Sequence, residues 1–208
     1  MNISANLSSV SSAHDVLAFW LGAYPLDETA MQRVKPQWFT KSEAFDVELR
    51  ARFGATIEAA LAGQLDSWAD TAEGRLALLI VLDQFTRNSF RGQPKSFAGD
   101  ARALAVAQQG IALGHDRQVP PVARIFCYLP LEHAEDAALQ AQSVALFQRL
   151  TDEAAPEQHA FLAGTLDYAR RHEDVIRQFG RFPHRNAILG RDSTTEEKDY
   201  LAQPGAGF

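Results

Sequence analysis

"LALLIVLDQFTRNSF", Leu76 to Phe90, is the stretch on which the fold class turns. No part of it alternates with period two, and apolar residues cover almost its whole circumference when it is wound as a helix. On a wheel advancing about 100° per residue, Leu79, Ile80, Asp83, Arg87 and Phe90 fall within about 60° of Leu76, with Leu78, Leu82 and Phe85 opposite. A helix that is greasy on both sides is built for burial. Yet Asp83, Gln84, Arg87, Asn88 and the following Arg91 fill one wedge about 140° wide in its last turns.

Asp83 and Arg87 are four residues apart and can pair. Arg87 and Arg91 are also four apart, a like-charge spacing that costs ~0.2–0.5 kcal/mol even in water. In a sheltered wedge an unpaired arginine would cost far more. Something negative is therefore expected to face Arg87 and Arg91, supplied by the protein or by a ligand. The simpler reading is a solvent-facing side near a helix end, where Asn88 and Arg91 suit the dipole.

Outward from this helix, the chain keeps the same helical punctuation. Ser12, with Asp15 nearby, caps a helix that carries Leu17, Trp20 and Leu21 and stops at Gly22. "TKSE", Thr40 to Glu43, reads as a capping box before Phe45, Leu49 and Phe53, with a shorter helix following to about Leu61 and Gly63 as its stop. Thr71 caps the long apolar helix. "RGQP" turns the chain into a helix with Phe97, Leu104 and Ile111 on one stripe, closed by Gly114. Pro120 and Pro121 suit a helix start, whereas Pro130 is expected to break or kink the same run at "YLPLEH". A stripe of Leu139, Ser143, Leu146, Phe147 and Leu150 follows, then a helix from Leu162 to Phe179 and a small one opened by "STTE", Ser193 to Glu196. The expected fold is all-α, antiparallel helix pairs joined by short links in one domain over residues 1–208, with no internal repeat at a fixed period.

The bulk composition narrows the function. At 208 residues the chain can bury a real core, and its net charge of −6 argues against a partner recognised through overall positive charge, so neither nucleic acid nor an anionic membrane is expected. The single cysteine, Cys127, excludes an intramolecular disulfide and a cysteine metal cage. With no basic, apolar leader at the N-terminus, a cytoplasmic location is expected. There is no glycine-rich phosphate loop, dinucleotide fingerprint, zinc-helix histidine pair or nucleophile elbow.

Two further polar clusters stand out. "LPLEHAED", Leu129 to Asp136, sets Glu132, His133, Glu135 and Asp136 after Pro130. If a helix restarts there, Glu132 and Asp136 share a face with His133 beside them, an arrangement able to act as base, proton relay or partner for the arginines. The blander reading is an acidic first turn favoured by the helix dipole. His172 holds a core-stripe position among Leu162, Thr165, Ala169, Ile176 and Phe179. After it, "FGRFPHRNAILGR", Phe179 to Arg191, puts Arg181, His184, Arg185 and Asn186 on a loop constrained by Gly180 and Pro183. Between Arg170 and Arg191 six arginines meet two acids, Glu173 and Asp174, a positive island in an acidic chain that suits a small anion. The same arginines could instead pair with Glu132 to Asp136 and clamp the fold. Glu132, His133, Asp136, His172 and His184 are proper ligand types for a divalent metal. Their spacing matches no standard signature, so no cofactor is expected.

The stretches "LLIVLDQFTRNSFRG", "YLPLEHAED" and "FGRFPHRNAILGR" resemble a bacterial family known as DUF 924, a domain of unknown function. "VLAFWLG", "WFTKSEAFDVELRARFG", "ALAGQLDSWADT" and "STTEEKDYLAQPGAGF" extend the likeness over nearly the whole chain. The resemblance implies a compact all-α fold similar to tetratricopeptide-repeat proteins, here without a legible repeat, and a tail that is ordered; a role for Phe208 as a terminal plug is a separate expectation. It implies no activity.

Two functions follow as expectations. In the first, Arg87, Arg91, Arg181 and Arg185 bind a small anion and Asn88 and Asn186 orient it, with Asp83 fixing Arg87 beside Gln84. Asp136 and His172 complete the ligand set, and Glu132, His133 or His184 moves protons in a hydrolysis or group transfer. In the second, the array binds a peptide or protein in a groove walled by Trp38, Trp68 and Tyr128, and the charges are structural.

Overall fold

The computed structural model describes residues 9–207, so Phe208 lies outside the described residues. The fold is all-α, and the described residues contain no strand. Contacts group them into two compact units: one reaches to Arg91 and includes Lys95–Cys127, the other comprises Gly92–Pro94 and Tyr128 onward.

The first unit holds α1 (Ala13–Leu21), α2 (Glu28–Trp38), α3 (Glu43–Leu61) and α4 (Ala72–Leu79), then a π-helical turn, Ile80–Phe85, running into α5 (Thr86–Ser89). After it come α6 (Asp100–Ala112) and most of α7 (Pro121–Glu132). The expected caps of α1 are present: Ser12 and Asp15 form a capping box, and Gly22 ends the helix at φ 85°. Thr71 Oγ1 accepts from Gly74 N at the start of α4. Three expectations need correction. The cap of α3 is Ser42, not Thr40, and one helix runs unbroken to Leu61 where two were expected. Helix α2, with Pro36 near its end, had no counterpart in the sequence reading.

The core of this unit is aromatic. Phe53 and Phe85 centroids lie 4.9 Å apart, Trp20 packs on Phe85 and Phe126 at 5.6 and 5.8 Å, and Trp38 meets Phe126 edge-on at 5.0 Å. Trp38 donates from Nε1 to Trp20 O, 2.7 Å, satisfying the one polar atom of its own buried side chain. Arg75 is also buried, and its guanidinium donates to Ala69 O, Val106 O, Gln109 Oε1 and His115 Nδ1. Beside it lies a void of about 10 Å³, room for one water, next to Cys127. Burial pushes the Cys127 thiol up to about 12.

The second unit contains the end of α7, then α8 (Ala137–Asp152), α9 (Pro156–Phe179), α10 (Asn186–Leu189) and α11 (Thr195–Leu201). Pro130 does not break α7, which continues to Glu132. A proline so near a helix end forfeits one backbone bond, and the burial of Leu129 and Leu131 on either side offsets that loss. A three-residue link makes α8 and α9 an antiparallel pair, with Thr151 Oγ1 donating to Leu162 O at 3.2 Å and Arg170 to Gln148 Oε1. That register sets Gln140 and Ser143 of α8 toward the His172 end of α9. Gly180 closes α9 at φ 70°, as expected. Helix α11 is capped one residue later than read, by Thr194 with Glu197 in a capping box.

Candidate functional site

In the middle helix the negative partners of the arginines come from the protein itself. Arg87 lies 3.1 Å from Asp83 Oδ1 and donates twice to Asp100, at 2.8 and 3.1 Å. Arg91 forms a bidentate pair with Asp46, 2.9 and 3.1 Å, and also donates to Asn88 Oδ1. Gln84 Nε2 donates to Asp83 Oδ2. The wheel drawn at uniform pitch also fails here, because i→i+5 bonding in the π-helical turn adds a residue to the circuit and slips later side chains by about 100°. Asp83, Gln84, Arg87, Asn88 and Arg91 thus form an intramolecular network, in which the protein supplies the negative charge that faces both arginines.

Much of the tail cluster is a clamp as well. Arg181 pairs bidentately with Glu197, 2.7 and 2.8 Å. Asn186, fully buried, donates to Ser193 Oγ and Glu197 Oε2 and accepts from Arg191 Nε. Arg191 holds both oxygens of Glu135, and Phe182 N donates to the same carboxylate at 2.8 Å. Burial alone would raise the Glu135 carboxyl; Arg191 and the Phe182 amide overcome it and hold the carboxyl low. Asp136 does not share a helical face with Glu132. It is the N-cap of α8, accepting from Leu139 N at 2.9 Å. Arg181, Asn186 and Asp136 are therefore each engaged by groups of the protein itself.

Arg181 draws the Glu197 carboxyl down to about 2 from its ordinary 4.5. A depressed carboxyl stabilises the fold above its unfolded value, so this contribution is whole above pH 4.5 and fades as pH falls toward 2. Glu197→Gln is expected to cost about 1–3 kcal/mol at pH 7. In urea titrations the gap between variant and wild type should shrink at pH 3, and an undiminished gap there would contradict the linkage.

What remains is a cluster built from the end of α7, α9 and the loop after α9. Glu132, the last residue of α7, is 3% exposed, and His172 on α9 is 4% exposed. Glu132 Oε1 lies 3.1 Å from His172 Nδ1, which is also 2.9 Å from Tyr168 O. Two oxygens around Nδ1 hold the imidazole proton there and leave Nε2 with its lone pair. Burial pushes His172 well below its ordinary value, and the neighbouring His133, His184 and Arg185 lower it further, so it is neutral at physiological pH.

Half-buried His133 has its ring 6.0 Å from that of His172, and one donor atom from each of Glu132, His133 and His172 lies within 4.8 Å of the others. Phe182 packs edge-on against His172 at 5.4 Å and lies 5.6 Å from His184. Buried Arg185 rests its guanidinium 4.6 Å over the Phe182 ring and donates to His133 O at 3.0 Å. The tail passes close by, since a Cβ on Gly207 would come 3.2 Å from His184 Cβ. Fully buried Gln140 donates to Glu132 O and Ala134 O, 2.6 and 2.8 Å, which fixes its amide orientation; among the described residues its Oε1 has no donor.

Of the residues singled out in the sequence, Glu132, His133, His172, His184 and Arg185 come together here. Gln140 and Phe182 were missed. A glutamine one turn before Ser143, on a face otherwise apolar, was the available signal for the former.

A family model matches residues 16–205 of the chain. The chain belongs to DUF924, described as a bacterial protein of unknown function. The DUF924 fold recurs in a solved structure, "Structure of Protein of Unknown Function ATU0120 from Agrobacterium tumefaciens", at 40% identity and a TM-score of 0.77, covering 91% of this chain and 96% of that one. No curated protein matches. Among the described residues, no helix of this DUF924 member is long and apolar enough to cross a membrane.

Proposed function

We propose that the chain binds a small anionic metabolite, a phosphate or carboxylate, in its second unit, and performs hydrolysis or group transfer on it. The observation that carries this reading is a convergence of nitrogen groups. Arg185, His133, His172 and His184 gather around Phe182, with the Glu132 carboxylate against His172 and the Glu135 carboxylate on the Phe182 amide. Arg185 would hold the anion through its fork of donors, already oriented by the Phe182 face and the His133 carbonyl. His133 and His184, both half-buried, are the groups suited to moving protons to and from solvent. The alternative, a peptide groove walled by Trp38, Trp68 and Tyr128, is disfavoured because Trp38 and Tyr128 are buried in their units' cores and only Trp68 is half-buried.

The test is thermal shift against a panel of phosphates and carboxylates, with Arg185→Met to keep the apolar stem on Phe182. A panel member at 100 times its Kd should stabilise the wild type by about 2.7 kcal/mol. Arg185→Met should weaken it at least about tenfold, and Arg177→Ala, an exposed control on α9, should leave it unchanged. Wild-type affinity in a folded Arg185→Met protein, or no response to any member, would refute the reading.

A further inference from the structure

The acceptors on the floor of this cluster outnumber what an anion site needs. Glu132 presents a carboxylate, His133 and His172 present imidazole nitrogens, and the donor atoms of all three already lie within 4.8 Å of one another. Glu132 Oε1 and the Tyr168 carbonyl hold the proton of His172 on Nδ1, so Nε2 is the nitrogen that would face an ion. Small rotations of the half-buried His133 side chain would complete the set. Two imidazoles with one carboxylate are the donors of zinc-class and non-haem iron sites, which keep one or more positions open for water or substrate.

A second observation comes from α8. Gln140 spends both amide hydrogens on the backbone carbonyls of Glu132 and Ala134, so its Oε1 is fixed beside the same turn, fully buried, with no donor among the described residues. An orphaned buried acceptor destabilises the fold unless something supplies a hydrogen bond, and a metal-bound water is such a donor.

We infer that Glu132, His133 and His172 form a binding site for a divalent transition metal of the zinc class, with Gln140 positioned to orient water on the ion. This deepens the reading of the second unit as an anion site. The ion would add Lewis acidity opposite the Arg185 guanidinium, the pairing that hydrolysis of a phosphate or carboxylate ester uses. It also explains why a carboxylate and two imidazoles share one buried corner. The spacing escapes the sequence because two adjacent ligands on a helix end join a third 39 residues further on.

The test titrates Co²⁺ into the full chain after dialysis against chelator, reading visible absorption, stoichiometry and melting temperature. The expected results are one saturable ion per chain with the intense bands of a low-coordinate site, and a higher melting temperature. His133→Ala, the most exposed ligand and the least disruptive change, should weaken binding about 10-fold or more. Exposed His159→Ala should not. Circular dichroism checks each fold, and the wild-type stoichiometry and spectrum decide the matter should His133→Ala not fold. Absence of saturable binding in the wild type, an octahedral aqua-like spectrum, or equal affinity in folded His133→Ala overturns the inference. Phosphate stabilising the metal-free protein while Co²⁺ fails to bind would sink the metal site and spare the anion reading. Co²⁺ binding with no anion response, with or without metal, would do the reverse.

Discussion

Asp83→Ala should lower stability by about 3 kcal/mol, because it removes the buried carboxylate that pairs with half-buried Arg87. Asp83 is 2% exposed, holds Arg87 at 3.1 Å and accepts from Gln84 at 2.7 Å. Its loss leaves a buried amide donor without its acceptor and a cation with half its compensation. Asp100 still faces Arg87 from the start of α6, which limits the effect. Urea unfolding at constant m-value measures it. A double-mutant cycle with Arg87→Met should return a coupling of about 1 kcal/mol or more. Independent, additive losses would mean that solvent, not Asp83, compensates Arg87.

Gly99→Ala is expected to cost about 3 kcal/mol or more, through overpacking against a neighbour that cannot yield. A Cβ on Gly99 would sit 2.0 Å from Leu82 O, 2.9 Å from Leu82 C and 3.2 Å from its Cα. These are backbone atoms of the π-helical turn, and the same carbonyl also accepts from Thr86 Oγ1 at 2.7 Å. The backbone angles of Gly99, φ −87° and ψ −12°, suit any residue, so the requirement for glycine is purely steric. Gly164→Ala supplies the contrast. It sits exposed in α9, where an added methyl group would meet nothing within 4 Å, and the change should stabilise by up to about 1 kcal/mol. If Gly99→Ala behaves like Gly164→Ala in chemical denaturation, the approach of the α6 start to Leu82 is wrong.

Local chemistry was legible and remote chemistry was not. Ser12, Thr71, Gly22 and Gly180 announced their helix ends because a cap acts on atoms within three or four residues. The apolar run from Leu76 announced burial for the same reason. Helix α2 was hidden by its polar character and by Pro36. The π-helical turn left no mark, since i→i+5 bonding answers to the packing around it rather than to composition. Arg87 and Arg91 were rightly expected to face negative charge. That Asp100 and Asp46 supply it could not be read, because Asp46 lies 45 residues away. The tail loop was similar: Glu132, His133, His172, His184 and Arg185 were singled out, but their separation from Arg181, Arg191 and Asn186, which serve as a clamp, depended on distances no spacing rule contains.

The lone thiol turns this chain into its own clock. With Cys127 shielded and its proton held until about 12, a thiol-specific label finds it only in molecules that have opened. Labelling rates under native conditions would therefore report the frequency of that opening without any engineered probe. Each substitution above could be ranked by how much faster the reagent is consumed.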